Sequence, residues 1–435
     1  MTATKGTDKG TDTSLAAAVD TAGGATPPGI ATGYEGSIAD QVRAYVSRVR
    51  GGEMGMLPAI AGLIVLSVLF SFLSPFFLTR LNIANLFTQS ASLAVLAIAL
   101  VFVILLGEID LSAGVTAGVG MGAFILLNSV GGWNWVPALG VGLLVGLAIG
   151  AFIGYFVAKV GIPSFVVTLG LFLGLPGLLL VMLGDGNTYR IQAPEVLAIM
   201  NNNLPLWGGW VMFVVIVLVS IATAYYDRGR RLKAGVPVRP LSLLWIRIGI
   251  LAVASFVFVL LLNQNRSVSV IAVEGVPIVV PITLAIVWLG TQVLDRTRFG
   301  LHLYAVGGNP EAARRAGINV ATIRISAFMI CSTLAIVSGL FTASRVGTVG
   351  SSFGSTIVLN GVAAAVVGGV SLFGGRGRLV QAAVGAILIS MITNGLGLLA
   401  LPGGVNLLIT GGVLILAATV DALSRKRSGA SLARV

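Results

Sequence analysis

Charge is scarce in this chain, and so are the groups from which catalytic and metal sites are usually built. Of 435 residues, 10% are charged and 7% are aromatic, with one cysteine and one histidine. With Cys331 alone, no intramolecular disulfide can form. With His302 alone, no histidine-based metal site or triad can be assembled within one chain. The phosphate loop G-x-x-x-x-G-K-S/T is missing, so ATP binding in the usual P-loop manner is excluded. H-E-x-x-H is missing too, which leaves zinc-hydrolase chemistry without a foothold and argues against an enzyme. The first apolar run begins far from Met1 and lacks the pattern of a signal peptide.

What is abundant is hydrocarbon. Hydrophobic residues make up 56% of the sequence and mean hydropathy is +1.00, values foreign to a soluble globular chain. A bilayer crossing needs roughly 20 apolar residues, and about twelve such runs are present. They cover 57 to 76, 86 to 106, 113 to 130, 135 to 158, 163 to 183, 206 to 225, 243 to 262, 277 to 294, 323 to 343, 356 to 373, 379 to 400 and 404 to 421. The sequence thus predicts an all-α polytopic membrane protein of about twelve helices, with ten to fourteen as the range. Pro176 lies inside the fifth run, which could be re-entrant.

The net charge of +12 is explained by placement. Threading the amino terminus inside gathers Arg43, Arg48, Arg50, Lys159, Arg228, Arg230, Arg231, Lys233, Arg239, Arg296, Arg298, Arg314, Arg315, Arg376, Arg378 and Arg425 to Arg427 on one face. Only Arg80, Arg190, Arg266 and Arg345 fall opposite. This asymmetry predicts a multi-pass protein of the cell inner membrane with both termini cytoplasmic. It implies attraction to anionic membrane lipid and no nucleic-acid partner.

Along the chain, residues 1–40 read as a disordered cytoplasmic tail and 41–56 as an amphipathic juxtamembrane helix. Residues 57–422 form the transmembrane domain, interrupted by a polar loop at 295–322, and 423–435 form a basic cytoplasmic tail. A weak repeat relates two halves: LLGEIDLSAG ending at Gly114 and VVGGVSLFGG ending at Gly375 match at Gly107 with Gly368, Ile109 with Val370, Leu111 with Leu372 and Gly114 with Gly375. Two repeats about a substrate path are a recurrent transporter plan.

Within the polar loop, Asn309 suits a helix cap, Pro310 its first position, Glu311 its positive first turn and Gly317 a left-handed exit. The pattern predicts a short, stiff helix on an aqueous face, built to be gripped by another protein.

All fifteen carboxylates fall in tails, loops or span ends, so the mid-membrane ionisable group that marks ion-driven carriers is absent. Glu108 and Asp110 come nearest. Near water at the cytoplasmic face, they line a gate or bond the neighbouring repeat, or else Asp110 or Ser112 caps the next helix. Uncharged amides inside the spans, Gln89, Asn128, Asn360, Asn394 and Asn406, fall toward the outer halves of their helices. As a group they suit a path for a neutral, hydroxyl-rich solute; singly, each suits a helix-to-helix bond.

Four stretches carry a resemblance: GEIDLSAG at 107–114, PSFVVTLG at 163–170, FGLHLYAVGGNPEAARRAGINV at 299–320 and GGVSLFGGRG at 368–377. They closely resemble the permease subunits of bacterial ABC importers for monosaccharides, the ribose, galactose and xylose group. The EIDLS wording and the basic loop around 226–247 are most similar to the xylose permeases. The resemblance implies a pore-forming subunit with no cofactor of its own, beside a second permease copy, cytoplasmic ATPases that bind ATP and Mg, and an extracytoplasmic sugar-binding protein. It implies that Gly308, Asn309, Glu311, Ala312, Arg314 and Gly317 form the ATPase-coupling helix; the repeat itself marks Glu108, Asp110, Gly368, Gly369 and Gly374 as gate or repeat-motif residues. The chain departs from its relatives at Val358 and Asn360, where they tend to carry acidic residues, and in the arginines of GGRGR. An ion-coupled secondary transporter for a neutral solute, and an ABC permease for amino acids or nucleosides, are the alternative readings.

Overall fold

The computed structural model describes residues 55–419, apart from 236, 237, 239, 268, 269, 355, 356, 403, 406, 407, 410, 413, 414 and 416–418. The tails expected at 1–40 and 423–435, nearly all of the juxtamembrane segment and much of the last apolar run lie outside the described residues.

The structure is helical, as the apolar runs require. In chain order the helices are α1 (Leu57–Leu73), α2 (Arg80–Ile104), α3 (Ala113–Ile125), α4 (Trp135–Tyr155), α5 (Ser164–Leu183), α6 (Pro194–Asn201), α7 (Leu206–Lys233), α8 (Leu241–Leu262), α9 (Val279–Arg296), α10 (Arg298–Gly308), α11 (Pro310–Arg315), α12 (Val320–Val346), α13 (Ile357–Val367) and α14 (Leu379–Leu398). A π-helical turn extends α3 over Leu126–Val130, and another extends α4 over Phe156–Val160. Among the described residues nine helices are long and apolar enough to cross a membrane, and α1 and α13 are shorter apolar helices. The run at 163–183 is one unbroken helix despite Pro176.

The only sheet among the described residues is a pair of short strands: β1 (Thr188–Arg190) runs antiparallel to β2 (Thr348–Gly350), Tyr189 facing Val349. It fastens the outlet of α5 to the outlet of α12. Beside it α6 is held by Ser344, whose hydroxyl donates to the Val196 carbonyl at 2.6 Å and accepts from Met200 N–H at 3.2 Å.

Helix α2 is the axis of the bundle. From Ala94 to Leu106 every side chain is buried, a pattern with no amphipathic face because neighbours surround it. Helices α12, α14, α13 and α9 all pack on it. Helix α4 packs extensively on α12 through glycines at every fourth residue, Gly146, Gly150 and Gly154, while Gly142, one turn earlier, meets Gly120 of α3. A Cβ on Gly150 would stand 2.5 Å from the Phe328 carbonyl oxygen, and one on Gly154 2.6 Å from Ile325 Cα. Where lipid tails compete with side chains for apolar contact, such backbone approach is a main source of helix association.

Candidate functional site

The structural centre of gravity for function is the segment that follows α2, residues 105–110. Helix α2 ends in a left-handed turn: Gly107 has φ 75°, its N–H bonds the Ile104 carbonyl at 2.9 Å, and Glu108 N–H bonds the Val103 carbonyl at 3.2 Å. Helix α13 ends in the same way. Gly369 has φ 103°, Gly369 N–H bonds Val366 at 2.9 Å and Val370 N–H bonds Ala365 at 3.0 Å. The two halves are therefore related at these exits, but the register is Gly107 with Gly369, one residue away from the sequence match with Gly368. Gly368 serves the packing instead, since a Cβ there would collide with the Gln381 carbonyl where α13 crosses α14.

The other motif stretches converge on this segment. Gly375 N–H donates to the Leu105 carbonyl at 2.8 Å, so the second repeat loop bonds the first. Gly307, near the end of α10, lies so close that a Cβ would collide with the same Leu105 carbonyl. Gly374, at φ 79°, is wedged between both: a Cβ would fall 2.8 Å from Gly107 N and 2.8 Å from Gly307 O. Tyr304 on α10 donates its hydroxyl to the Gly377 carbonyl at 2.7 Å, and burial followed by the Asp295 charge keeps that phenol protonated by raising its pKa. The start of α5 closes the ring. Ser164 Oγ accepts from Ile109 N–H at 3.2 Å, and Thr168 donates to the Ile109 carbonyl at 3.3 Å.

The side chains of Glu108 and Asp110 reach toward α12. Glu108 pairs with Arg324 at 3.2 Å, the two side chains 14% and 25% exposed. Asp110 is 1% exposed. Its Oδ1 accepts from Ser112 N–H at 2.8 Å and Ser112 hydroxyl at 2.7 Å, and Oδ2 faces Cys331 Sγ at 3.7 Å. Burial pushes this carboxyl above its ordinary range, against the hydrogen bonds that pull it down. The expectation of water beside the carboxylates is corrected for Asp110: α12 and α3 cover it, its Oδ1 ties the start of α3 and its Oδ2 faces Cys331 on α12.

The loop helix α11 has the geometry its residues dictate. Asn309 Oδ1 accepts from Glu311 N–H at 3.0 Å and Ala312 N–H at 2.9 Å, with Pro310 at the first position. At the other end Gly317 has φ 82°, Gly317 N–H bonds Arg314 and Ile318 N–H bonds Ala313, both at 3.0 Å. Glu311 bridges to Arg314 at 2.9 Å and Arg315 at 3.6 Å on the exposed side. Ala313 is buried against the bundle, while Asn309, Glu311, Ala312, Arg314 and Gly317 are exposed. Gly308, also exposed, stacks its backbone on Gly375.

Two of the described span amides are engaged in separate places. Asn394 and Asn82 exchange reciprocal bonds of 2.9 Å, locking α14 to α2. Asn128 donates to the Trp133 carbonyl at 2.9 Å and ties its own turn. Gln89 and Asn360 are half-buried, and Asn406 lies outside the described residues. Among the described residues no cluster of His, Cys, Asp and Glu could hold a metal ion.

Sequence reasoning passes over Arg324, Ser164, Thr168, Tyr304 and Gly307. Arg324 leaves a signal, a lone cation at the start of an apolar run. The others leave none beyond lying in the motifs.

Comparison with known proteins decides what this architecture is. Residues 82–418 match the family described as "Branched-chain amino acid transport system / permease component". The chain belongs to that permease family. This permease is 31% identical over 370 residues to the xylose transport system permease protein XylH of Escherichia coli (strain K12), covering 85% of the chain and 92% of the relative. It is 31% identical over 375 residues to XylH of Haemophilus influenzae, covering 84% and 96%. It is 30% identical over 395 residues to the ribose import permease protein RbsC of Bacillus subtilis (strain 168), covering 89% and 99%. No solved structure matches the permease.

Proposed function

We propose that this permease is the membrane-spanning subunit of an ATP-driven sugar importer, with xylose or another pentose as its substrate. The relatives that support a sugar are named for xylose and ribose and are covered nearly end to end. The observation that carries the coupling mechanism is α11: a capped, exposed helix, in a chain without a P-loop, whose neighbours Gly307 and Gly308 lie directly on both repeat loops. Work done on that helix by an ATPase reaches both halves of the bundle through backbone contacts.

In this reading the basic face is cytoplasmic and both termini lie there. Asn309, Glu311, Ala312 and Arg314 meet a cytoplasmic ATPase, which binds ATP and Mg. A second permease copy completes the path, and an extracytoplasmic sugar-binding protein delivers the solute. ATPase closure moves α11, and the bundle switches the face to which its path opens. Asp110 is the observation that favours the ion-coupled alternative, because its carboxyl is buried. Its two oxygens are already engaged by Ser112 and Cys331, which favours a structural role.

The test is purification in mild detergent followed by uptake in vesicles. An ATPase and a sugar-binding protein are expected to co-purify, and labelled xylose is expected to accumulate only with ATP. Ala312→Glu is expected to release the ATPase. Uptake that persists without ATP and collapses with an ion gradient would overturn the reading.

A further inference from the structure

We propose that the Glu108–Arg324 pair is a side-chain contact that, beside the backbone contacts of Gly307, passes movement of α11 to the first repeat loop. This rests on the ATP-driven reading above and names the positioning residues that such a cycle would use.

Stiffness between α11 and α12 comes first. Only residues 316–319 link the two helices, and both sides are stapled: Gly317 and Ile318 close α11, while Asn319 Oδ1 caps α12 through Thr322 N–H at 3.1 Å. A short link with both ends fixed moves as one body. Arg324 lies in the second turn of α12, close to that link.

The geometry then fixes what Arg324 pulls. The side chains of Glu108 and Asp110 reach α12, while the backbone N–H and carbonyl of Ile109 bond α5. Along the loop two residues advance about 6.6 Å, and along a helix seven residues advance about 10.5 Å. Arg324 and Cys331, seven apart, share one face of α12 and meet Glu108 and Asp110 in turn. The loop lies along α12 and is gripped at two depths. The deeper contact, Asp110 with Cys331, is backed by Ser112 at the start of α3; the shallower one is the Glu108–Arg324 ion pair.

Burial separates this pair from the other charges nearby. Glu311 and its arginine partners are 58% to 79% exposed, where a pair is weak and screened. Arg324 is largely covered, and its Nε is buried without a partner, so its hold on Glu108 is the main compensation for placing a guanidinium there. Such a pair resists separation and transmits displacement.

The decisive experiment uses the whole complex, permease with its ATPase and sugar-binding protein, in vesicles. The readout is sugar taken up per ATP hydrolysed, together with the ATPase rate without sugar. Glu108→Gln and Arg324→Gln are expected to lower uptake per ATP by on the order of tenfold, an ordinary size for coupling between sites, while hydrolysis continues. The exchanged pair, Glu108→Arg with Arg324→Glu, is expected to recover most of the ratio. Single variants that keep the wild-type ratio would overturn the proposal, as would an assembled exchange that recovers nothing. Should the exchange fail to assemble, Glu108→Asp decides: a ratio near wild type supports the proposal, and a fall equal to Glu108→Gln overturns it. A wild-type complex with no ATP-dependent uptake would instead defeat the importer reading, which keeps the two failures distinct.

Discussion

Asn309 and Asp110 show how much a single side chain settles here. Asn309 supplies both hydrogen bonds that start α11, and losing such a cap costs about 1 kcal/mol. Asn309→Ala is therefore expected to reduce the ordered fraction of α11 and lower ATPase retention on the purified permease by about fivefold. Retention equal to wild type would show that the cap does not matter for docking. Asp110 makes a prediction in pH. Its ordinary value is 3.8 and burial raises it in the folded protein, so the native state holds a proton that the unfolded chain releases. Stability from this group is complete below its ordinary value and declines as pH rises from about 4 toward the folded value. Asp110→Asn is expected to stay folded and to flatten that part of the pH profile of thermal unfolding in detergent. An unchanged slope would mean that Asp110 is already ionised in the bundle.

At the scale of elements, what can be read from the sequence is what neighbours along the chain decide. The caps of α11, its glycine exit and the helical class follow from residues within one turn of each other or from apolar run length, and they need no tertiary information. The contacts that make the site span long separations: Asn82 with Asn394 across 312 positions, Asp110 with Cys331 across 221, Ile109 with Ser164 across 55. No local pattern encodes those pairings, which is why Asn394 reads as a candidate for the solute path and Ser164 goes unnoticed. The repeat register slips for a related reason. Helix exits align by the glycine with positive φ, and Gly368 and Gly369 are indistinguishable as letters. The glycine stripe of α4 carries its own prediction. Gly150→Val would force branched carbons into the Phe328 backbone, and core overpacking typically costs about 1–3 kcal/mol. Thermal unfolding should come earlier for Gly150→Val than for Gly140→Val, where nothing stands within 4 Å. Equal effects would mean that α4 and α12 do not cross through these glycines.

For the whole molecule, the importer reading assigns α11 a side of the membrane, and the chain's own cysteine content makes that easy to check. Cys331 is fully buried, so it is a silent background for thiol labelling. Ala312 is exposed on α11 and makes no side-chain hydrogen bond, so Ala312→Cys adds one reactive group at the proposed docking face without touching the cap, the glycine exit or Arg324. A membrane-impermeant maleimide is expected to label this variant in inside-out vesicles and not in intact cells. Once the ATPase is bound, labelling should fall because the partner covers the helix. Labelling from outside would invert the orientation drawn from the arginines, and an ATPase could then not reach the helix at all. Labelling from inside that a bound ATPase leaves unchanged would keep the orientation and remove α11 from the interface. The two elements of the reading, where the helix lies and what holds it, are separated by one added sulfur.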